Sequence, residues 1–125
     1  MALGQFLIFL IPIGEAPFLT EDGWGLKDDV VYPLSVEELI QKISVVFPKI
    51  KKTDFPGYVE LVDGGMEFGI YTDKIPNRII EVSGRLDVFK YPEGRFLGVI
   101  NKIFELAETV NLAVFDTKTG QVAPS

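Results

Sequence analysis

Residues 95–120 read RFLGVINKIFELAETVNLAVFDTKTG. Phe96, Ile100, Ile103, Phe104, Ala107 and Val110 recur at helical spacing and form one apolar stripe, while Arg95, Asn101, Lys102, Glu105 and Glu108 fall on the other side. Such a stripe needs a sheet to lie on. Residues 112–115 offer four consecutive apolar side chains, Val and Phe among them, which suits a strand covered on both faces. Asn111 fits a left-handed cap between helix and strand. Asp116 at the start and Gly120 at the end of the following segment have the chemistry of a tight turn.

The rest of the chain supplies partners for this unit. Residues 6–11 are an unbroken apolar run stopped by Pro12 and Gly14. The run is far shorter than the roughly 20 residues that span a bilayer, and no basic residue precedes it, so it reads as a central strand and not as a membrane span or signal peptide. Ser35 followed by Glu38 is a capping box, with Leu34 and Leu39 at the spacing of a hydrophobic staple. The helix they open buries Val36, Leu39, Ile40, Ile43 and Phe47 and ends at Pro48. Lys49, Lys51 and Lys52 follow as a basic cluster that complements the helix dipole.

Residues 58–62 and 66–72 form a predicted hairpin around Asp63, Gly64 and Gly65. With Gly64 and Gly65 as the loop, Leu61 faces Phe68, Val59 faces Ile70 and Tyr58 faces Tyr71. With Asp63 and Gly64 as the loop, Glu60 would meet Glu67, an unfavourable like-charge pair, so the first register is preferred. Ile75, Pro76 and Asn77 suggest a further turn. Residues 78–83 then resume alternation, with Ile80 and Val82 on one side and Glu81 on the other. The expected architecture is one α+β domain over residues 1–125 in the order β-α-β-β-β-α-β. It has a five-stranded, mixed or largely antiparallel sheet, both helices on one face, and the first and last strands central.

Between the first strand and the first helix runs a long connection, residues 14–34, carrying Glu15, Glu21, Asp22, Asp28 and Asp29 around the sole tryptophan, Trp24. Long loops in compact domains are commonly functional. Glu21, Asp22, Trp24, Asp28 and Asp29 are therefore the candidate partner-binding residues, the aromatic as anchor and the acids as steering charges. A simpler use of the same residues has Trp24 folded back as a lid on the core and the acids solvated.

Composition narrows the chemistry. The chain has neither cysteine nor histidine, which removes disulfides, thiolate ligands, the commonest transition-metal ligand and the usual base near neutral pH. No catalytic residue, metal site or cofactor is expected. Glu21-Asp22 and Asp28-Asp29 are adjacent pairs whose side chains point apart, and the Gly64-Gly65 pair lacks what a phosphate loop needs. Eighteen acidic residues against 12 basic ones give a net charge of -6. Nucleic acid and anionic membranes are disfavoured and a basic protein partner is favoured. Hydrophobic residues at 47% leave room for a homodimer. A reducing, cytoplasmic setting suits a cysteine-free chain.

The helix pattern Phe96, Ile100, Ile103, Phe104, Leu106, Ala107, running into Asn-Leu-Ala-Val-Phe-Asp-Thr-Lys-Thr-Gly at 111–120, resembles a broad group of small bacterial proteins that close with a similar helix-strand segment. Some members are similar to immunity proteins of polymorphic toxin systems. This chain departs in carrying Thr117-Lys118 where that group tends to have Pro-Gln, and in its early tryptophan. The resemblance covers the last quarter of the chain, with the first strand and the hairpin similar in pattern only, and implies a fold more than an activity. The leading expectation is a non-enzymatic binding protein, an immunity-type inhibitor of a basic toxin being one form of it. The alternatives are a small-ligand or oxygen-chemistry enzyme with a pocket under residues 14–34, and a homodimeric module.

Overall fold

Strand alternation sorts the apolar residues onto two faces, and each face finds a different cover. The computed structural model describes residues 4–73, 78–91 and 94–124. Its elements are β1 (Gln5–Pro12), β2 (Phe18–Thr20), β3 (Gly23–Gly25), α1 (Val36–Val46), β4 (Lys51–Phe55), β5 (Tyr58–Asp63), β6 (Met66–Thr72), β7 (Ile79–Asp87), α2 (Arg95–Thr109), β8 (Leu112–Asp116) and β9 (Gln121–Ala123). Seven strands make one sheet in the order β4-β5-β6-β7-β1-β8-β9, every pair antiparallel, and β2 and β3 form a separate two-stranded ribbon.

The α+β class and the largely antiparallel sheet agree with expectation, whereas the strand count of five does not. Two sheet strands were hidden. β4 carries a single apolar residue, Phe55, and is exposed throughout, so it gives no hydrophobic period. It is joined to β5 by Pro56 and Gly57, the latter at φ +73°, a tight turn in which Pro sets the first corner and Gly the second. β9 is only three residues long and sits beyond the Asp116–Gly120 turn, where Gly120 N–H donates to Asp116 O and Lys118 N–H to Asp116 Oδ1. The expected turn at residues 75–77 lies outside the described residues.

The helix-side core gathers Ile8, Leu10, Val59, Leu61, Phe68, Ile70, Val82, Leu86, Leu112 and Val114 from alternate strand positions, together with Val36, Leu39, Ile43, Ile103, Leu106 and Ala107 of the helices. Both helices thus cover one face, touching each other, with α2 against β8. α1 opens as read: Ser35 Oγ accepts from Glu38 N–H and the Glu38 carboxylate accepts from Ser35 N–H. The hairpin register is also the preferred one, with Tyr58 opposite Tyr71 and Leu61 opposite Phe68. β1 and β8 both lie inside the sheet.

Two details differ. α2 is rotated from the expected stripe: Leu106 is fully buried while Phe104 is 43% exposed, because Val99, Ile103, Leu106 and Val110 make a tighter row against the sheet than a stripe including Phe104. In β7 a register shift after Tyr71 sends Ile79 inward and leaves Ile80 exposed, the usual effect of one extra residue in a strand. The stripe assignment is tested by truncation. Leu106→Ala should cost about 2–5 kcal/mol of unfolding free energy in urea titration; Phe104→Ala should cost well under half of that.

Candidate functional site

The second face of the sheet is covered over only half its width. Phe9, Ile11, Ala113, Phe115 and Val122 on β1, β8 and β9 lie beneath the β2–β3 ribbon. Trp24 stands edge-on to Phe115 at 4.9 Å between ring centroids, and its Nε1–H donates to Thr117 O at 3.2 Å. Thr117 is itself tied to β1, its N–H and Oγ1 both donating to Leu7 O. The connection is anchored a second time in the helix-side core, where buried Val30 and Tyr32 pack and the Tyr32 hydroxyl donates to Leu10 O at 2.6 Å. Burial raises the Tyr32 pKa far above its usual range, so this hydroxyl remains a donor.

On β4 to β7 the same face is open. Cross-strand register lines up Phe55, Tyr58, Tyr71 and Glu81 in one row. Phe55 and Tyr58 stack at 5.8 Å and Tyr58 and Tyr71 meet at 4.7 Å. The next row holds Thr53, Glu60, Gly69 and Ser83, and the one beyond it Lys51, Val62, Glu67 and Arg85, the last two of which form an ion pair. Gly69 is needed for this layout. A β-carbon there would stand 2.8 Å from the Tyr58 ring and 3.0 Å from Ser83 Oγ, so the missing side chain is the space in which Tyr58 lies across the sheet.

A groove of about 630 Å³ runs from the ribbon to this row, lined by Asp22 and Trp24 on one side and Tyr58, Glu67, Tyr71 and Glu81 on the other. A second depression of about 620 Å³ continues past Tyr71 and Glu81 to Asp28, Asp73 and Arg78. Arg78 pairs with Asp73 there at 3.2 Å. Among the described residues Glu60 and Glu81 have no ion-pair partner. Glu81 is half-buried, and that burial raises its carboxyl pKa. Burial also raises the Tyr58 hydroxyl, with Tyr71, Glu67 and Glu60 adding to the effect.

The five residues singled out from sequence are separated. Trp24 is the lid, with one edge toward the groove, and Asp22 is on the groove's rim. Asp28 belongs to the second depression, and Glu21 and Asp29 are exposed without lining either. The loop acids do not converge on one cavity. The groove's other wall, Tyr58, Glu67, Tyr71 and Glu81, was not singled out, although the preferred hairpin register already put Tyr58 beside Tyr71. Pro56-Gly57 was the missed signal, since a turn there brings Phe55 into the same row. Among the described residues no three metal-ligating side chains cluster, and no helix is long and apolar enough to cross a membrane. Comparison with known protein families, with curated proteins and with solved structures gives no match.

Glu81 offers a pH test. Its folded-state pKa lies above the unfolded value, so the native chain holds the proton more tightly and stability falls as pH rises from the ordinary carboxylate range through the raised value. Glu81→Gln removes that loss. Thermal melts should show the variant more stable than the parent at neutral pH, with the gain disappearing near pH 3, where carboxyls are protonated in both states.

Proposed function

We propose that this chain is a non-enzymatic binding protein whose open sheet face holds a cationic protein segment. The observation that carries the reading is the Phe55–Tyr58–Tyr71 row ending on Glu81, flanked by Glu60 and rimmed by Asp22. Aromatic faces attract guanidinium and ammonium groups by about 0.5–2 kcal/mol each, and neighbouring carboxylates add charge-assisted hydrogen bonds. Arg85 is engaged by Glu67, and Lys51 on the outermost strand is the other base on this face of these strands, against Glu60, Glu67 and Glu81, so the face presents more acid than base. A net charge of -6 would steer a basic partner toward it. An inhibitor that covers a basic toxin is the form of this reading suggested by the resemblance at residues 95–120.

The reading shifts the contact surface from the loop acids to the sheet. Asp22 and the exposed edge of Trp24 remain at its margin, whereas Glu21, Asp28 and Asp29 contribute long-range charge only. Calorimetric titration with an oligo-arginine peptide, against an oligo-glutamate control, checks this. Binding of oligo-arginine alone is expected, weakening as salt rises. Tyr58→Ala and Tyr71→Ala should each weaken it by about 0.5–2 kcal/mol, and Gly69→Ala should act in the same direction by displacing Tyr58. Replacing Asp28 and Asp29 by Asn should have little effect. Absence of binding at low salt, or binding indifferent to both tyrosines, contradicts the proposal.

A further inference from the structure

β4, Lys51–Phe55, is the outermost strand of the seven and is exposed along its whole length. It pairs on one side with β5. Among the described residues nothing pairs with its other side, a free edge of the kind that natural sheets commonly protect with lysines. Here the protection is incomplete, because the strand carries its own counter-charge. Its register with β5 places Lys51, Thr53 and Phe55 on the aromatic face and Lys52 and Asp54 on the helix side. Lys52 and Asp54 form an exposed ion pair at 3.5 Å. Pro48 and Pro56 stand outside the two ends of the strand, which confines any pairing to these few residues.

We infer that β4 pairs antiparallel with β4 of a second copy, about a two-fold axis through Thr53. In that register each Lys52 lies opposite the partner's Asp54, each Lys51 opposite the partner's Phe55, and Thr53 opposite the partner's Thr53. Every cross-strand pair is favourable: two opposite charges, an ammonium beside an aromatic ring, and two threonines. Other registers fail on the same residues. Moving the axis to Lys52 puts Lys52 against the partner's Lys52, and moving it to Asp54 opposes two carboxylates. A shift by one residue would bring the aromatic face of one copy level with the helix face of the other. The pentapeptide KKTDF is therefore self-complementary in a single register, as an isologous interface requires.

The two-fold axis stands normal to the sheet, so both Phe55–Tyr58–Tyr71 rows come to lie on the same side of a fourteen-stranded sheet (7 + 7) with all helices on the other. This assembly does not depend on the binding role proposed above, and if both hold the dimer presents two acidic-aromatic faces side by side. The contact is short and each copy carries a charge of -6, so a weak, concentration-dependent dimer is expected.

Sedimentation velocity from micromolar to sub-millimolar protein tests the register by charge swap. The parent mass should climb from 13.9 kDa toward twice that value. Asp54→Lys and Lys52→Asp should each remain monomeric, since each sets like charges opposite one another twice. The double variant Lys52→Asp/Asp54→Lys should regain the dimer. Both positions are exposed, so all forms should fold, which circular dichroism checks. A parent that stays monomeric throughout overturns the inference. So do single variants that dimerise like the parent, or a double variant that does not.

Discussion

Trp24 resting edge-on against Phe115 is the contact on which the arrangement of this protein depends. A sheet with helices on one side only leaves its other side to be covered by something else. Phe9, Ile11, Ala113 and Phe115 make β1 and β8 too apolar on that side to face water unaided. The indole supplies the cover, and its N–H is satisfied by Thr117 O in the turn that follows β8. Thr117 is in turn bound to Leu7 O, so lid, turn and central strand form one hydrogen-bonded unit. The connection then re-enters the structure on the opposite side, where Tyr32 donates to Leu10 O. A segment that reads as a long loop is thereby held at both of its useful points.

The same contact sets where the cover stops. Beyond β1 the side chains on the open face change character, from Phe and Ile to Ser83, Arg85, Glu67, Glu60 and the Tyr58–Tyr71 pair. Their amphipathic rings tolerate water while still offering area to a partner. Gly69 keeps this surface flat enough for Tyr58 to lie across it. Glu81, set at the seam between covered and open halves, bears the desolvation that the position imposes. The transition from apolar to acidic-aromatic along one sheet face is what separates its covered half from its open half.

Much of the framework could be read from residue order, because the relevant signals are local. The capping box at Ser35 and Glu38 and the paired Tyr58 and Tyr71 follow from spacing and side-chain chemistry alone. β4 escaped because an exposed edge strand has no apolar face to give it a period, so only Pro56-Gly57 marks it. Phe104 was placed inward because helical spacing cannot choose between Phe104 and Leu106 when both are apolar; packing against β8 chooses the leucine. The candidate site was half visible. Trp24 stood out as the sole tryptophan, but its acidic neighbours in sequence are dispersed in space, and the carboxylates that share a surface with it come from strands far along the chain. Long-range register, which no single segment encodes, decides that grouping.

Since Trp24 is the only indole, its fluorescence reports on this contact without labelling. Acrylamide quenching of the native protein, compared with the same protein in denaturant, is the direct measurement. A lid seated on Phe115 and bonded to Thr117 should emit to the blue of the unfolded chain and be quenched much less efficiently. Native emission and quenching equal to those of the unfolded chain would place the indole in water, and with it would go the division of the sheet into a covered half and an open one.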